Sequence, residues 1–500
     1  MKSIRYYLEN ETLKSILFVA LILRLIAVVF AKGFGMHDDH FLIVEVAQSW
    51  VAGFDYNNWL PWSEGSAGIP QGHSLFYVGI HYLIFSLFKL IGFSNPDYQM
   101  YVIRLMHALY SLLVVSLSYK ITLKLADKKS ATIVGWLMAI AWFMPWLSVR
   151  NLVEMVSIPP LLYSIWLIIK DDNTTARRYL WAGFIGTIAF SIRFQGILFV
   201  GGIGLVLLIQ KQWREAFFYG IGGLFSILLI QGGIDLYVWG RPFAEFTEYV
   251  NYNLHNSGEY PNGPWYNYLL LLIGFFVVPY GLMLFAGFLN VKRKWLIVFV
   301  PTLVFLAFHS YFPNKQERFI FPILPMYVML GVVGWQAFLD GKLNNKFWKI
   351  FTKVSLVIFL LVNFTILPII TTGYSKRARV EAMLYLYDKP NTDRIIADAT
   401  SKAPYKVLPL YYSGNWKTRV RIFRDPSDYT KKQKVFTQKY VLFFGQTNLE
   451  NRVAQVENIT GPLHQEFIAM PSLIDRLLQG MNSVNANDTV FIYAMEKAGE

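Results

Sequence analysis

Eleven apolar stretches recur along this chain, and most are long enough to need a bilayer around them. A run of about 20 apolar residues crosses a membrane as a helix, because hydrocarbon offers no partner for an open backbone. The stretches cover 12 to 32, 99 to 119, 131 to 148, 152 to 169, 179 to 194, 196 to 210, 215 to 233, 267 to 290, 295 to 311, 319 to 337 and 349 to 370. The composition, 55% hydrophobic and 16% charged, excludes disorder and collagen, and no nucleic-acid partner is expected despite a net charge of +14. With no cysteine, thiolate nucleophiles, disulfides and Cys-ligated zinc are excluded.

A twelfth segment, 73 to 92, decides the orientation, since a span there reverses every later loop. Laid flat on the outer surface, it puts five basic loops on one side: Lys120 to Lys129, Lys170 to Arg178, Lys211 to Arg214, Lys292 to Lys294 and Lys342 to Lys349. The opposite loop from Gly33 to Gln71 has no Lys or Arg but holds Asp38, Asp39, Glu45, Asp55 and Glu64. Excess Lys and Arg marks the cytoplasmic side, so the flat reading is favoured, and His73, Ser74, His81, Ser86 and Lys89 suit an interfacial helix. Lys2, Arg5 and Lys14 precede the first stretch without a following small-residue cleavage site, which predicts a retained span and a cytoplasmic N-terminus.

The expected fold is therefore a polytopic α-helical membrane protein with about 11 transmembrane helices, over residues 1–370. A soluble α/β domain over 371–500 follows on the exterior, with strands expected at Arg394 to Ala397, Val420 to Phe423, Tyr440 to Phe444, Glu466 to Met470 and Thr489 to Ala494. The absence of an inverted internal repeat speaks against a secondary transporter.

Polar residues gather at the outer ends of the spans, where ionisable groups mark a site by default. Met36-His37-Asp38-Asp39-His40-Phe41 follows span 1 and offers two carboxylates beside two imidazoles, for a general base or a cation; a solvated loop is the plainer reading. Arg150 and Glu154 lie four apart and on their own would pair with each other. Arg193 and Gln195 sit between two half-length apolar runs, where an arginine must find a carboxylate, a carbonyl or an anionic ligand. His309 precedes Asn314-Lys315-Gln316-Glu317-Arg318-Phe319-Ile320-Phe321-Pro322; Lys315 and Arg318 could hold a phosphate or snorkel to headgroups. The loop after span 7 mixes amides with aromatics, among them Asn253, His255, Trp265 and Tyr266, suiting a sugar surface or an aromatic belt. Outer acids with separate outer cations suggest an anionic, lipid-linked substrate.

These segments resemble the GT-C glycosyltransferases, and within them the lipid-phosphate-mannose-dependent mannosyltransferases of N-glycan and GPI-anchor assembly. Residues 36–41 look like a His-Pro-Asp-Glu-x-Phe signature, 150–154 like an Arg-x-x-x-Asn-x-x-Glu region with altered spacing, and 253–268 like a loop ending in Gly-x-x-Pro-Trp-x-x-Tyr. Residues 314–322 resemble a His-Lys-Glu-x-Arg-Phe-Ile-x-Pro segment and are the most specific match. Met36, His37, Asp39, Asn314 and Gln316 depart from those patterns. The resemblance covers residues 12 to about 340.

It implies an inverting enzyme that moves a sugar, mannose by family, from a polyprenyl-phosphate donor to a lipid-linked or envelope glycan acceptor, on the outer face of what is expected to be a bacterial inner membrane. Surface-lying helices in the first outer loop, 33–97, are implied too, and neither metal nor cofactor is. Asp38 takes the general-base position and Asp39 the neighbouring acidic one. Lys315 and Arg318 match the basic residues near the donor phosphate, joined by Arg150 and, on electrostatic grounds, Arg193. His37, His40, Glu154, Gln195, Asn253, His255, Trp265, Tyr266, His309 and Glu317 are the remaining candidates, for acceptor or sugar. The rival readings are a flippase or transporter of lipid-linked saccharides and an envelope-glycan polymerase or ligase.

Overall fold

The computed structural model describes residues 12–171, 175–256, 258–259, 262–290, 292–401, 406–429, 439–482, 485 and 487–495; Lys2 and Arg5 lie outside them. The chain divides into two compact units. The first comprises Met1–Val28, Asn58–Ile80 and Arg104–Thr371, the second Val29–Asn57, His81–Ile103 and Thr372–Glu500.

Six described helices are long and apolar enough to cross a membrane: Thr12–Phe30, Pro96–Leu125, Trp213–Trp239, Arg293–Tyr311, Glu317–Asp340 and Lys346–Thr371. Leu75–Leu90, Val153–Ile169 and Gly196–Ile209 are shorter apolar helices. The even series of eleven runs is thus uneven in length, and the cause is breakage. The 131–148 run is helical as Lys128–Ile140 and restarts at Met144, and the 267–290 run is split into Asn267–Phe275 and Tyr280–Phe288 at Val277, which has φ 58°, and Pro279. Open backbone at such a break needs partners. Asn363, fully buried on the last long helix, supplies them: its Nδ2 donates to the Ile140 carbonyl at 2.9 Å, and its Oδ1 accepts from the Trp142 amide at 2.8 Å. The Trp142 indole N–H in turn donates to the Phe275 carbonyl at 3.0 Å, where the second broken run stops.

Close helix crossings in this unit use small residues, as packing between apolar helices demands. An added Cβ at Gly183 would lie 1.9 Å from the Tyr219 carbonyl oxygen, and one at Gly334 would lie 1.9 Å from that of Gly287. Arg24, fully buried on the first helix, donates to Ser111 Oγ at 2.8 Å and to the carbonyls of Met138 and Ala139 at 3.3 and 3.4 Å. Those carbonyls end the Lys128–Ile140 helix, where the helix dipole favours a cation.

A π-helical turn, Ile227–Gly232, points Gln231 inward. Its amide donates to Asp235 and Glu245 at 3.0 and 2.8 Å, and its oxygen accepts from Ser74 at 2.7 Å. Glu245 also accepts from the Leu75 amide and the Trp239 indole, both at 3.0 Å. This buried cluster fixes the start of the Leu75–Leu90 helix. On that helix Tyr77, Val78, His81, Phe85 and Phe88 form a buried stripe, and Leu83, Leu87 and Leu90 an exposed apolar one. His81, expected on a polar interfacial face, belongs to the buried stripe.

In the second unit five strands form one mixed sheet: β1 Arg394–Asp398, β2 Arg419–Phe423, β3 Tyr440–Phe444, β4 Leu463–Ala469 and β5 Val490–Met495, in the order β2-β1-β3-β5-β4. β2, β1 and β3 run parallel, and β5 and β4 complete the sheet antiparallel. Every residue of the central β3 is buried, which suits its unbroken Tyr-Val-Leu-Phe-Phe run, whereas the edge strands β2 and β4 are partly open. Ile396, Phe423, Val441, Phe443, Val456 and Phe491 make the core. Beyond the ends of β1 and β3, Arg452 bonds the Asp398 carboxylate and the carbonyls of Phe444 and Gly445, and so plugs the crevice between the two strands.

The same unit holds the segment after the first long helix. Gly33 has φ +72° and pairs with Ser375, whose carbonyl oxygen would lie 1.9 Å from an added Cβ, so glycine is needed for both backbone shape and space.

Candidate functional site

Two clusters collect most of the expected residues, one in each unit. In the second unit His37–Asp39 form a single helical turn, followed by a π-helical turn, His40–Val44, and the helix Glu45–Val51. Asp38 is half-buried and His37 exposed, whereas Asp39 and His40 are buried. Of the two adjacent acids, Asp38 is therefore the accessible one. His37 stacks on Phe41 with ring centroids 4.3 Å apart. His40 is sandwiched between Phe34 and Tyr412, at 4.6 and 5.3 Å, and its Nε2 lies 3.4 Å from Glu45 Oε1. Closed on both faces, His40 is a brace rather than the acceptor contact expected of it.

Glu45, fully buried, accepts from the Tyr411 amide at 3.1 Å. Burial pushes its carboxyl up, against the pull of His40 and of the backbone N–H groups at 411 and 410. One turn on, Gln48 accepts from the Trp416 indole. Residues 411–416 thus clamp the helix that carries the acids. Glu45 was visible in the sequence as one loop acid among five, and Tyr411, Tyr412 and Trp416, some 370 positions away, gave no signal there.

In the first unit Glu154, fully buried, pairs with Arg193 at 2.6 Å and with Arg318 at 3.5 Å. Among the described contacts Glu154 meets these two arginines and not Arg150, because Asn151 and Leu152 interrupt the helix and remove the four-residue stacking that an Arg150–Glu154 pair requires. Arg150 lies over the Trp146 ring, at 4.3 Å. Arg193 sits in the short non-helical turn between Ala176–Ile192 and Gly196–Ile209, the break that its flanking half-length runs predicted. Both paired arginines pack on Phe319, at 4.7 and 5.6 Å, and Arg318 Nε also donates to Gln316 Oε1 at 3.0 Å. Gln195 meets the Tyr249 phenol, and the Tyr249 ring packs on Phe194.

Lys315 donates to the carbonyls of His309 and Ser310, at 2.8 and 2.9 Å, and to that of Phe312. Its ammonium thus clasps the turn, and desolvation draws its pKa down. His309 donates from Nδ1 to the Phe305 carbonyl at 2.8 Å, which makes Nε2 the acceptor nitrogen. Tyr268, absent from the expected set, packs near Lys315 and His309 and donates to the Gln316 carbonyl at 3.2 Å. Gly263 allows the 262–263 strand to lie on Lys315, where a Cβ would meet the lysine stem at 2.9 Å.

The remaining candidates stand apart. Asn253 and His255 bond carbonyls of their own helix, Ala244–Asn256, while Trp265 and Tyr266 are exposed and pack edge to face on each other. Glu317 is exposed at the start of a 3-10 turn.

The whole chain superposes on the crystal structure of ArnT from Cupriavidus metallidurans bound to undecaprenyl phosphate. The TM-score is 0.61 at 14% identity, over 98% of this chain and 99% of that one, and this likeness establishes the fold. Fold and family together define a membrane-embedded glycosyltransferase of the GT-C kind. The chain belongs to the Alg9-like mannosyltransferase family, whose model matches residues 15–407, more than half of its length. It is 26% identical to GPI mannosyltransferase 3 of Candida albicans over 312 residues, 60% of each chain, so the match spans under two thirds of that relative. It is 23% identical to GPI alpha-1,2-mannosyltransferase 3 of Danio rerio over 446 residues, 85% of this chain and 77% of that one.

Proposed function

We propose that this protein is an inverting mannosyltransferase that takes its sugar from a polyprenyl phosphate and passes it to a lipid-linked or envelope glycan on the outer face of a membrane. The observation that carries the reading is the pair of guanidiniums, Arg193 and Arg318, held on the single buried carboxylate of Glu154. Two guanidiniums gathered on one buried carboxylate hold several charge-assisted donors in one place, which suits a departing phosphate. ArnT, whose crystal structure holds undecaprenyl phosphate, shares the fold.

In the proposed reaction the Asp38 carboxylate takes the proton of an acceptor hydroxyl. That oxygen bonds to the anomeric carbon as the bond from this carbon to the phosphate oxygen breaks, opposite to it. The electron pair leaves with the polyprenyl phosphate, whose new charge Arg193 and Arg318 offset, and the configuration inverts. Lys315 adds field rather than a direct contact unless it gives up a carbonyl, and His309 Nε2 is suited to accept a hydrogen bond from a sugar hydroxyl. Residues 1–370 would form the catalytic membrane part and 371–500 an exterior domain, in a bacterial inner membrane, with the N-terminus cytoplasmic.

The test is transfer from radiolabelled polyprenyl-phosphate mannose in membranes holding the intact protein or Asp38→Asn. Label should reach a lipid or glycan acceptor with the intact protein and fall by about 100-fold to 10,000-fold in the variant. Turnover retained in the variant would remove Asp38 from its role. Protein-dependent lipid translocation without transfer would replace the enzyme by a carrier.

A further inference from the structure

A second polar site is built from residues that belong to neither cluster. The helices Ile158–Ile169 and Ala176–Ile192 and the end of Pro96–Leu125 border an open cavity of about 900 Å³. Lys124, Lys170, Arg177 and Arg178 line it, with Asp171 the one carboxylate among the described lining residues. In the sequence Asp172 follows, and cations remain in excess. These residues belong to two of the basic loops that the charge distribution assigns to the cytoplasm.

Snorkelling alone would leave all four cations splayed into headgroups, yet Arg178 does otherwise. It is 8% exposed; its Nη1 donates to the Asp171 carbonyl at 3.0 Å, the Tyr179 phenol lies within reach of the guanidinium, and Nε and Nη2 are buried without a well-formed hydrogen bond among the described residues. The Asp171 carboxylate stands 3.8 Å from Arg178 and 3.9 Å from Lys170 and is itself largely exposed, so it only partly offsets them. A buried guanidinium with open donors is costly unless an acceptor fills the space. Farther along the same two helices the lining is apolar: Leu167 and Ile185 belong to it, with Trp181 and Tyr163 exposed at 44% and 40%. A cationic floor beside an aromatic and aliphatic wall matches a phosphate joined to a hydrocarbon chain, and basic pockets between membrane helices are suited to anionic headgroups.

We propose that this cavity binds the phosphate of an anionic phospholipid, with Arg178 as the buried anchor, Lys170 and Arg177 as outer contacts, and an acyl chain along Tyr163, Leu167 and Trp181. The shared chemistry is a phosphate ester, and its source is either a lipid headgroup or a free anion; the apolar wall favours the lipid. The site is independent of the sugar-transfer reading.

The full chain, purified in a neutral detergent, is titrated with phosphatidylglycerol, phosphatidylcholine or inorganic phosphate while its thermal unfolding is followed. Phosphatidylglycerol should raise the midpoint saturably, by about 3 °C or more, and the other two should not. The double variant Lys170→Gln, Arg177→Gln, which changes one half-buried and one exposed side chain and leaves Arg178 in place, should lose most of that rise while unfolding normally without lipid. Arg318→Ala should keep the rise. An equal response to phosphatidylcholine, or a full response in the double variant, would overturn the proposal. Saturation by inorganic phosphate would overturn the lipid assignment in favour of a soluble anion.

Discussion

At the scale of single residues, the candidate centre depends on which charges are accessible. Glu154 looks in sequence like an acceptor ligand or a partner for Arg150, yet its place is between two arginines from separate segments. A carboxylate so placed orients the cations and limits their repulsion. Arg318→Ala should therefore raise the donor KM by about 10-fold to 100-fold, since a hydrogen bond to a charged group is worth roughly 1.5–3 kcal/mol, and leave the acceptor KM close to its starting value. Arg318→Lys should recover part of the loss, because a point charge persists without the fork. Steady-state kinetics with each substrate varied in turn makes the comparison, and equal donor saturation in Arg318→Ala and the intact protein would remove the phosphate contact. The chemistry-bearing residue types were legible because acids and cations beside apolar runs are rare. Their partners were not: Phe319 and Tyr268 fall inside the segments that resemble family motifs, but nothing local says which cation either ring packs under, in a chain with 40 Phe and 30 Tyr.

At the scale of elements, the breaks matter more than the helices. Hydropathy reported 131–148 as one continuous run, because Ala141 and Trp142 are apolar and nothing local announces the interruption. What stabilises it is Asn363 on another helix. Asn363→Leu keeps the volume and strands the Ile140 carbonyl and the Trp142 amide, at a cost of about 1–3 kcal/mol for each buried group. The variant should unfold several degrees lower than the intact protein, and an unchanged midpoint would show that the break is satisfied otherwise. By contrast, all five strands lie on runs readable from sequence, because β-branched and aromatic residues bounded by turn formers leave a local imprint.

The anchor of the Leu75–Leu90 helix gives a pH prediction. Burial, then the nearby charge of Asp235, raises the Glu245 carboxyl above its ordinary value, while the Trp239, Leu75 and Gln231 hydrogen bonds oppose the shift. A folded-state pKa above the unfolded one contributes stability that is full below the unfolded value, near 4, and is lost as pH rises through the folded one. Thermal unfolding should shift down as the buffer goes from mildly acidic to alkaline, and Glu245→Gln should flatten that slope. An unaltered slope in the variant would assign the pH response to other groups.

At the scale of the whole molecule, the charge pattern carries the strongest claim. Five basic loops on one side and an acidic first loop on the other predict a cytoplasmic N-terminus and an exterior C-terminus. Reporters fused at each end should be active on opposite faces, and activity on the same face would require an even number of crossings and return 73–92 to the count of spans. Legibility was poorest where distant chain meets chain. A single boundary near residue 370 is what the sequence suggests, whereas each unit is assembled from separate stretches of chain, with 29–57 and 81–103 grouped with the C-terminal sheet. No local pattern announces that grouping, because it rests on contacts such as Glu45 to Tyr411, across 366 positions.

The asparagine bridge also sets a timetable for biogenesis. Chain emerges from the ribosome in order, so the gap at Ile140 and Trp142 is made more than 200 residues before the side chain that closes it. Until the final long helix leaves the translocon, the early bundle holds an unsealed backbone seam and must borrow water, lipid headgroups or an insertase to cover it. A nascent chain stalled before residue 363 should be protease-sensitive at that seam, and release of the last helix should end the vulnerability.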